Sequence, residues 1–223
     1  MDIKLFSQAL TKFILGLIII SLLLFIPAGT LNYSNGWLFI ALLFIPMFVA
    51  GIIMFITSPD LLKRRLNAKE EENEQKIVIL ISGIMFFLAF IIAGLNFRFE
   101  WFKLPQIVII LASIIFLLSY VMYAEVLREN AYLSRTVEVS ENQKVVDSGL
   151  YGLVRHPMYT STIFLFLSMP LILDSLFSFI IMLIYPIIIF FRIKNEEKVL
   201  ENELEGYREY KEKVKYKIIP YIW

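Results

Sequence analysis

The chain has no cysteine and one histidine, His156, among its 223 residues. The first absence excludes disulfides, thiol nucleophiles, cysteine-ligated zinc and prenylation of the chain itself. The second excludes a multi-histidine metal site. No cluster of carboxylates at ligand spacing takes its place, so no metal is expected. Charge of one sign is also missing: 21 basic and 20 acidic residues leave a net charge of +1, which offers nothing to a nucleic acid. No Gly-x-Gly-x-x-Gly fingerprint occurs, which sets aside a soluble dinucleotide-type fold. Chemistry must therefore come from His156, carboxylates, tyrosines, Arg and Lys, and the backbone.

What is abundant is apolar. Hydrophobic residues make up 59% of the chain and aromatics 15%, with a mean hydropathy of +0.73. A soluble core does not need so much, and several runs approach the ~20 residues that cross a bilayer. The expectation is an all-α, polytopic membrane protein of about six apolar helices in a single domain over 1–223. Residues 1–123 would hold four spans, at 5–27, 37–57, 77–97 and 104–123. Residues 124–223 would hold a long polar segment, an apolar hairpin with arms 158–173 and 176–191, and a charged, helically patterned tail from Lys194 that Pro220 ends. The first run is span-length with no cleavage site after it, so no signal peptide is expected.

Each hairpin arm has about 16 residues, which at ~1.5 Å per residue is slightly short for a ~30 Å hydrocarbon core. A crossing hairpin is expected, with a re-entrant pair as the alternative. Six crossings put the N-terminus, the 58–76 loop, the 124–157 segment and the tail on one side. That side holds nearly all the Lys and Arg, while Arg98 and Lys103 lie opposite. The positive-inside rule then makes both termini and the polar segments cytoplasmic. The Glu70-Glu71-Glu72 run reads as a solvated face.

Two polar knots stand out. In the first, His156 precedes Pro157, a good first residue for a helix, with Tyr151, Arg155 and Tyr159 around it and a Gly149/Gly152 pair before it. Taken alone, His156 reads as a helix anchor; its company and the helix N-terminus suit instead the carboxylate of an amino-acid-like ligand. In the second, Arg192 and Glu196 are four apart at the end of an apolar run. An ordinary i,i+4 pair is worth only ~0.3–0.5 kcal/mol, but charges placed beside a membrane span usually have a task. Glu197 and Glu201 read as solvated, Tyr207 and Tyr210 as interfacial aromatics, Asp174 as a turn former, and Met158 and Met169 as membrane packing. Arg155 would contact a lipid phosphate or cap a helix.

The run Gly149-Leu-Tyr151-Gly-Leu-Val-Arg155-His156-Pro157-Met-Tyr159, an apolar hairpin, then Arg192-x-x-x-Glu196-Glu197-x-x-Leu200, Tyr207-x-x-Tyr210-x-x-x-Val214 and a late Pro220 resembles the isoprenylcysteine carboxyl methyltransferase family, within the wider group that includes phospholipid N-methyltransferases. The resemblance runs from about Thr136 onward. It implies an integral membrane enzyme that uses S-adenosyl-L-methionine, bound on the cytoplasmic side, and a lipid-like or prenylated acceptor drawn from the bilayer. It places cofactor contacts on Gln143, Lys144, Val145, Val146, Tyr151, His156, Pro157, Met158, Tyr159 and Glu196, and an acceptor contact on Arg192; Arg192 and Glu196 are the candidate catalytic pair. The lack of an obvious general base favours an already ionised acceptor, a carboxylate such as prenylcysteine or a thiolate. A phospholipid amine, an NADPH-dependent sterol-type reductase and a non-catalytic membrane scaffold are the alternatives.

Overall fold

A computed structural model describes residues 3–66, 73–133, 139 and 142–223, with the backbone alone at 73–75. The Glu70–Glu72 run and Thr136 lie outside the described residues. Helices account for all regular elements described: α1 (Ile3–Ala28), α2 (Ser34–Thr57), α3 (Pro59–Leu66), α4 (Asn73–Phe99), α5 (Gln106–Glu129), a 3-10 turn (Gly149–Gly152), α6 (Pro157–Ile172), α7 (Leu176–Met182), α8 (Ile184–Glu203) and α9 (Tyr207–Lys213).

Five stretches are long and apolar enough to span a membrane: α1, α2, α4, α5 and the α7–α8 stretch Leu176–Glu203, with α6 as a shorter apolar helix. Their outward faces carry large exposed side chains such as Ile45, Ile56, Leu80, Leu118 and Val121, the surface that lipid rather than water would cover. The inward faces make one continuous core that includes Leu24, Phe39, Ala93, Phe116, Met169, Ile172 and Met182. Lipid gives no hydrophobic drive for helices to associate, so close contact depends on small residues and buried hydrogen bonds. At Gly94 of α4 an added Cβ would sit 2.6 Å from the Leu24 carbonyl oxygen and 3.0 Å from Pro27 Cβ, so α1 and α4 touch through that glycine. Ser178 Oγ donates to the Ala89 carbonyl at 2.8 Å, tying α7 to α4. Tyr120 donates to the Leu43 carbonyl at 2.8 Å, tying α5 to α2 one turn before Pro46.

The two ends of the bundle differ. At one end the connections between helices meet one another: Tyr33 donates to the Leu173 carbonyl at 2.5 Å, Asn96 Nδ2 to the Asp174 carbonyl at 2.8 Å, and the Leu104 N–H to Asp174 Oδ1 at 2.6 Å. The tip of the 158–191 hairpin thus reaches the same level as the connections after α1 and α4. Asp174 is the expected turn former, with a left-handed φ of 55°, and its carboxylate also holds the neighbouring connection. At the other end α3 lies along the bundle. Lys12 donates to the Leu66 carbonyl at 2.5 Å, Arg64 to the Ala131 carbonyl at 2.9 Å, and Arg65 to the Tyr123 hydroxyl.

The returning arm differs from the single run read at 176–191. It breaks at Leu183, which separates α7 from α8. Pro186 supplies the reason: it lacks the N–H that would bond the Met182 carbonyl, and its ring crowds that carbonyl. The tail also differs from one charged helix beginning at Lys194. Helix α8 carries the apolar arm without interruption into the charged sequence as far as Glu203. Gly206, at φ 81°, then turns the chain into α9, and residues from Val214 onward leave helical geometry.

Candidate active site

At the end of the bundle that carries α3, one cleft collects side chains from four parts of the chain. Asn130, Tyr132 and Leu133 come from the end of α5 and the residues after it. Gln143, Lys144, Val145 and Val146 form a second wall. Tyr151, Arg155, His156, Met158 and Tyr159 come from the glycine turn and the start of α6. Arg192, Glu196, Leu200 and Leu204 from α8, with Tyr207 and Tyr210 from α9, complete it. Every residue singled out for cofactor or acceptor contact lines this cleft except Pro157, which is fully buried at the first position of α6. The proline starts the helix and fixes its neighbours' direction; its ring faces protein. Met158, read also as membrane packing, is at the cleft.

The first helical turn of α6 and the polar stretch of α8 are joined by Tyr159. Its hydroxyl donates to Glu196 Oε2 at 2.5 Å and accepts from Arg192 Nε at 2.9 Å. The two candidate catalytic residues, 33 and 37 positions away from it in sequence, are therefore more than an i,i+4 pair on a helix surface: a phenol from another helix stands between them. A separate group of apolar side chains, Leu204, Tyr207, Tyr210 and Val214 with Val145 and Leu200 packed on it, lies at the same cleft.

The glycine turn is fixed from outside. Glu129, the last residue of α5, accepts the Leu150 N–H at 2.9 Å. Gly149 has φ +52°, and a Cβ there would fall 1.4 Å from Glu129 Oε1. Only glycine fits. Tyr151 is then held at both ends: its hydroxyl accepts from Asn130 Nδ2 at 3.0 Å and its carbonyl accepts from the Tyr210 hydroxyl at 2.7 Å. Burial pushes the Tyr151 and Tyr210 phenols well above the ordinary tyrosine range, so both stay protonated.

Behind the cleft wall sits a buried charge cluster that the sequence reading did not anticipate. Glu197 was expected to be solvated; it is 5% exposed. Its Oε1 accepts from Arg155 Nε at 2.8 Å and lies 3.3 Å from His156 Nε2, while Oε2 pairs with Lys217 Nζ at 3.1 Å. Of the two expectations for Arg155, contact with lipid phosphate is corrected likewise, while the other, capping a helix, fits its bond to the carbonyl of Val214 at the end of α9. Its side chain is buried against Glu197, and its Nη1 donates to the Val214 and Lys215 carbonyls at 2.7 and 2.9 Å. The reason is the tail: Arg155 and His156 give their backbone N–H groups to the Tyr216 and Lys217 carbonyls at 2.9 and 2.8 Å, and Thr160 Oγ1 reaches the Ile218 carbonyl at 2.8 Å. Residues 214–218 thus run beside the start of α6 and close over the charges.

Tyr207 and Tyr210, expected as interfacial aromatics, are buried at the cleft. Among the described residues the Tyr207 hydroxyl has no hydrogen-bond partner, and burial, with Glu197 and Glu196 nearby, raises it far above the usual tyrosine range. Glu201 is half-buried and pairs with Lys211. One signal for these residues was available: an arginine and a histidine side by side before a helix need an anion, and Glu197 adjoins Glu196.

Residues 107–205 match the model of the phospholipid methyltransferase family. The match spans less than half of the chain. The matched stretch begins in α5 and ends past α8, so it covers the glycine turn, the His156–Tyr159 segment, the hairpin and the Arg192–Glu196 stretch. Among solved structures, the chain is similar to the eukaryotic intramembrane Ras methyltransferase, isoprenylcysteine carboxyl methyltransferase, at 16% identity and a TM-score of 0.49, covering 97% of this chain and 94% of that one. No curated protein sequence gives a significant match. Among the described residues no group of His, Asp and Glu is placed to hold a metal.

Proposed function

We propose that the chain transfers a methyl group from S-adenosyl-L-methionine to a lipid-like acceptor, with the cleft holding the donor and the neighbouring bilayer supplying the acceptor. The observation that carries this reading is the Arg192–Tyr159–Glu196 linkage at a cleft lined also by 143–146, Tyr151 and His156. The fit to the donor is chemical. Val145, Leu200, Leu204 and the tyrosines suit a flat nucleobase, and His156, Tyr159 and Glu196 suit the charged amino-acid end.

The donor's sulfonium supplies the reactivity, so the chain has to bind, align and exclude water. Arg192 offers N–H groups that would orient an acceptor carboxylate by charge-assisted bonds. Glu196 Oε2 is already engaged by the Tyr159 hydroxyl in a hydrogen bond of 2.5 Å, so that oxygen is not open to an acceptor ammonium. This favours an ionised carboxylate, of the prenylcysteine kind, whose oxygen forms the new bond to carbon while the carbon–sulfur bond breaks and its electron pair stays on sulfur. A phospholipid amine acceptor is the second reading, supported by the description of the matching family. Both readings take the cleft as cytoplasmic, in line with the basic residues of α3 and the tail.

Incubating the purified chain with methyl-labelled donor and a total membrane lipid extract separates the two. A carboxylate acceptor gives label released by mild base as methanol; an amine acceptor gives label that stays on a phospholipid headgroup through the same treatment. No transfer to any lipid, with protection by NADPH instead, would replace methyl transfer by the reductase reading.

A further inference from the structure

The chain holds one histidine, and its ring lies between the cleft and the buried cluster. His156 is 5% exposed, lines the cleft, and turns Nε2 toward Glu197 Oε1 at 3.3 Å. Among the described residues none bonds Nδ1. Glu197 already faces Arg155 at 2.8 Å and Lys217 at 3.1 Å. Taking Glu197 as −1 and these two as +1 each, the cluster stands at +1 with a neutral imidazole and at +2 with a protonated one. A second net charge in a buried site is costly. A neutral ring beside a carboxylate carries its proton on the nitrogen facing it, because a bare lone pair there would repel the oxygen. The Tyr159 ring packs near the imidazole, 5.7 Å away between centroids, and the bond from the His156 backbone N–H to the Lys217 carbonyl at 2.8 Å holds the main chain from which the ring extends.

We infer that Glu197 is a positioning residue: by accepting the Nε2 proton of His156 it fixes the tautomer, and so presents Nδ1 as a hydrogen-bond acceptor for an N–H or O–H donor of the ligand in the cleft. The ligand half of this inference rests on the proposed methyl-donor site; the tautomer half does not. A ligand with an ammonium group and ribose hydroxyls supplies such donors, and the neighbouring Glu196 and Nδ1 then offer two acceptors on one wall. In this arrangement Glu197 acts without touching the ligand. Arg155 and Lys217 balance its charge, and His156 carries the effect to the cleft.

The single histidine makes the test direct. Full-length chain, purified in nanodiscs and labelled with 15N in the imidazole, reports one set of ring signals. The expected result at neutral pH is a protonated Nε2 and a bare Nδ1, before any ligand is added. A ring protonated on Nδ1, alone or together with Nε2, overturns the inference. Adding S-adenosylhomocysteine should shift the Nδ1 signal toward that of a hydrogen-bonded nitrogen; a bound ligand that leaves it unmoved overturns the ligand half. Glu197→Met, apolar and of similar length, should lose the tautomer preference and weaken S-adenosylhomocysteine binding about tenfold, the worth of one such bond. Glu197→Gln keeps an oxygen for Nε2 and should restore both the tautomer and most of the affinity. A role confined to charge balance would make the two variants behave alike, because both leave Arg155 and Lys217 without their anion, and that outcome overturns the proposal. Wild-type chain that shows the expected tautomer but binds no S-adenosylhomocysteine would remove the methyl-donor reading and the ligand half together, and the ligand-free signal tells this case from the others.

Discussion

At the scale of single residues, the site depends on groups that cannot be exchanged for near neighbours. Gly149 combines a positive φ with a carboxylate where its Cβ would be, so Gly149→Ala should cost about 1–2 kcal/mol from backbone strain alone, and more from the clash with Glu129. A fall in thermal midpoint of purified protein, together with loss of donor binding, checks this. Glu197→Ala, like Glu197→Met and Glu197→Gln, leaves Arg155 buried without its anion, a change worth about 3–5 kcal/mol, and a lowered thermal midpoint of the folded, purified protein is the expected result. Tyr207 predicts the opposite sign. Its buried hydroxyl lacks a partner among the described residues, so Tyr207→Phe should leave the thermal midpoint of ligand-free protein unchanged or raise it. The spacing of the quoted pattern brings Tyr151, His156, Tyr159, Arg192 and Glu196 to one cleft. The burial of Glu197 and Tyr207 was not legible in it, because burial of a charged or phenolic side chain depends on where a distant segment packs, here residues 214–218.

At the scale of elements, apolar length and turn residues made the helices readable. The runs at 5–27, 37–57 and 77–97 each lie inside a helix, and Pro157 and Asp174 bound α6 as their chemistry requires. What sequence patterning missed was continuity. The change from apolar to charged at Lys194 looks like a boundary, yet helix hydrogen bonds are indifferent to side-chain charge, so α8 runs through it. The opposite error, at Leu183, came from reading Pro186 as part of an unbroken arm. The contact of α1 with α4 gives the test at this scale. With the Leu24 carbonyl 2.6 Å from any added Cβ, Gly94→Leu must push the two helices apart. Overpacking of this kind costs about 1–3 kcal/mol, which a thermal melt in detergent would register as a lower midpoint, with the cleft, at the other end of the bundle, least affected.

At the scale of the whole molecule, the bundle sorts its connections. Tyr33, the last turn of α4 at Asn96 and the hairpin turn at Asp174 meet at one end, and α3, the end of α5, the glycine turn and the tail meet at the other. The all-α membrane architecture followed from composition and run length, and the placement of Lys and Arg gave the same two-ended sorting. The chain's lack of cysteine supplies a clean background for testing orientation. Lys213→Cys, in α9, and Lys103→Cys, at the far end, should be labelled by a membrane-impermeant thiol reagent from opposite faces, with Lys213→Cys reached from the cytoplasm; labelling of both from one face would contradict the topology. The central claim is that polar segments distant in sequence together bind the methyl donor. Calorimetric titration of purified wild type, His156→Ala and Glu196→Ala with S-adenosyl-L-methionine tests it most directly. The account predicts saturable binding by wild type that weakens at least about tenfold, ~1.4 kcal/mol, in either variant; affinity equal in all three proteins would contradict it.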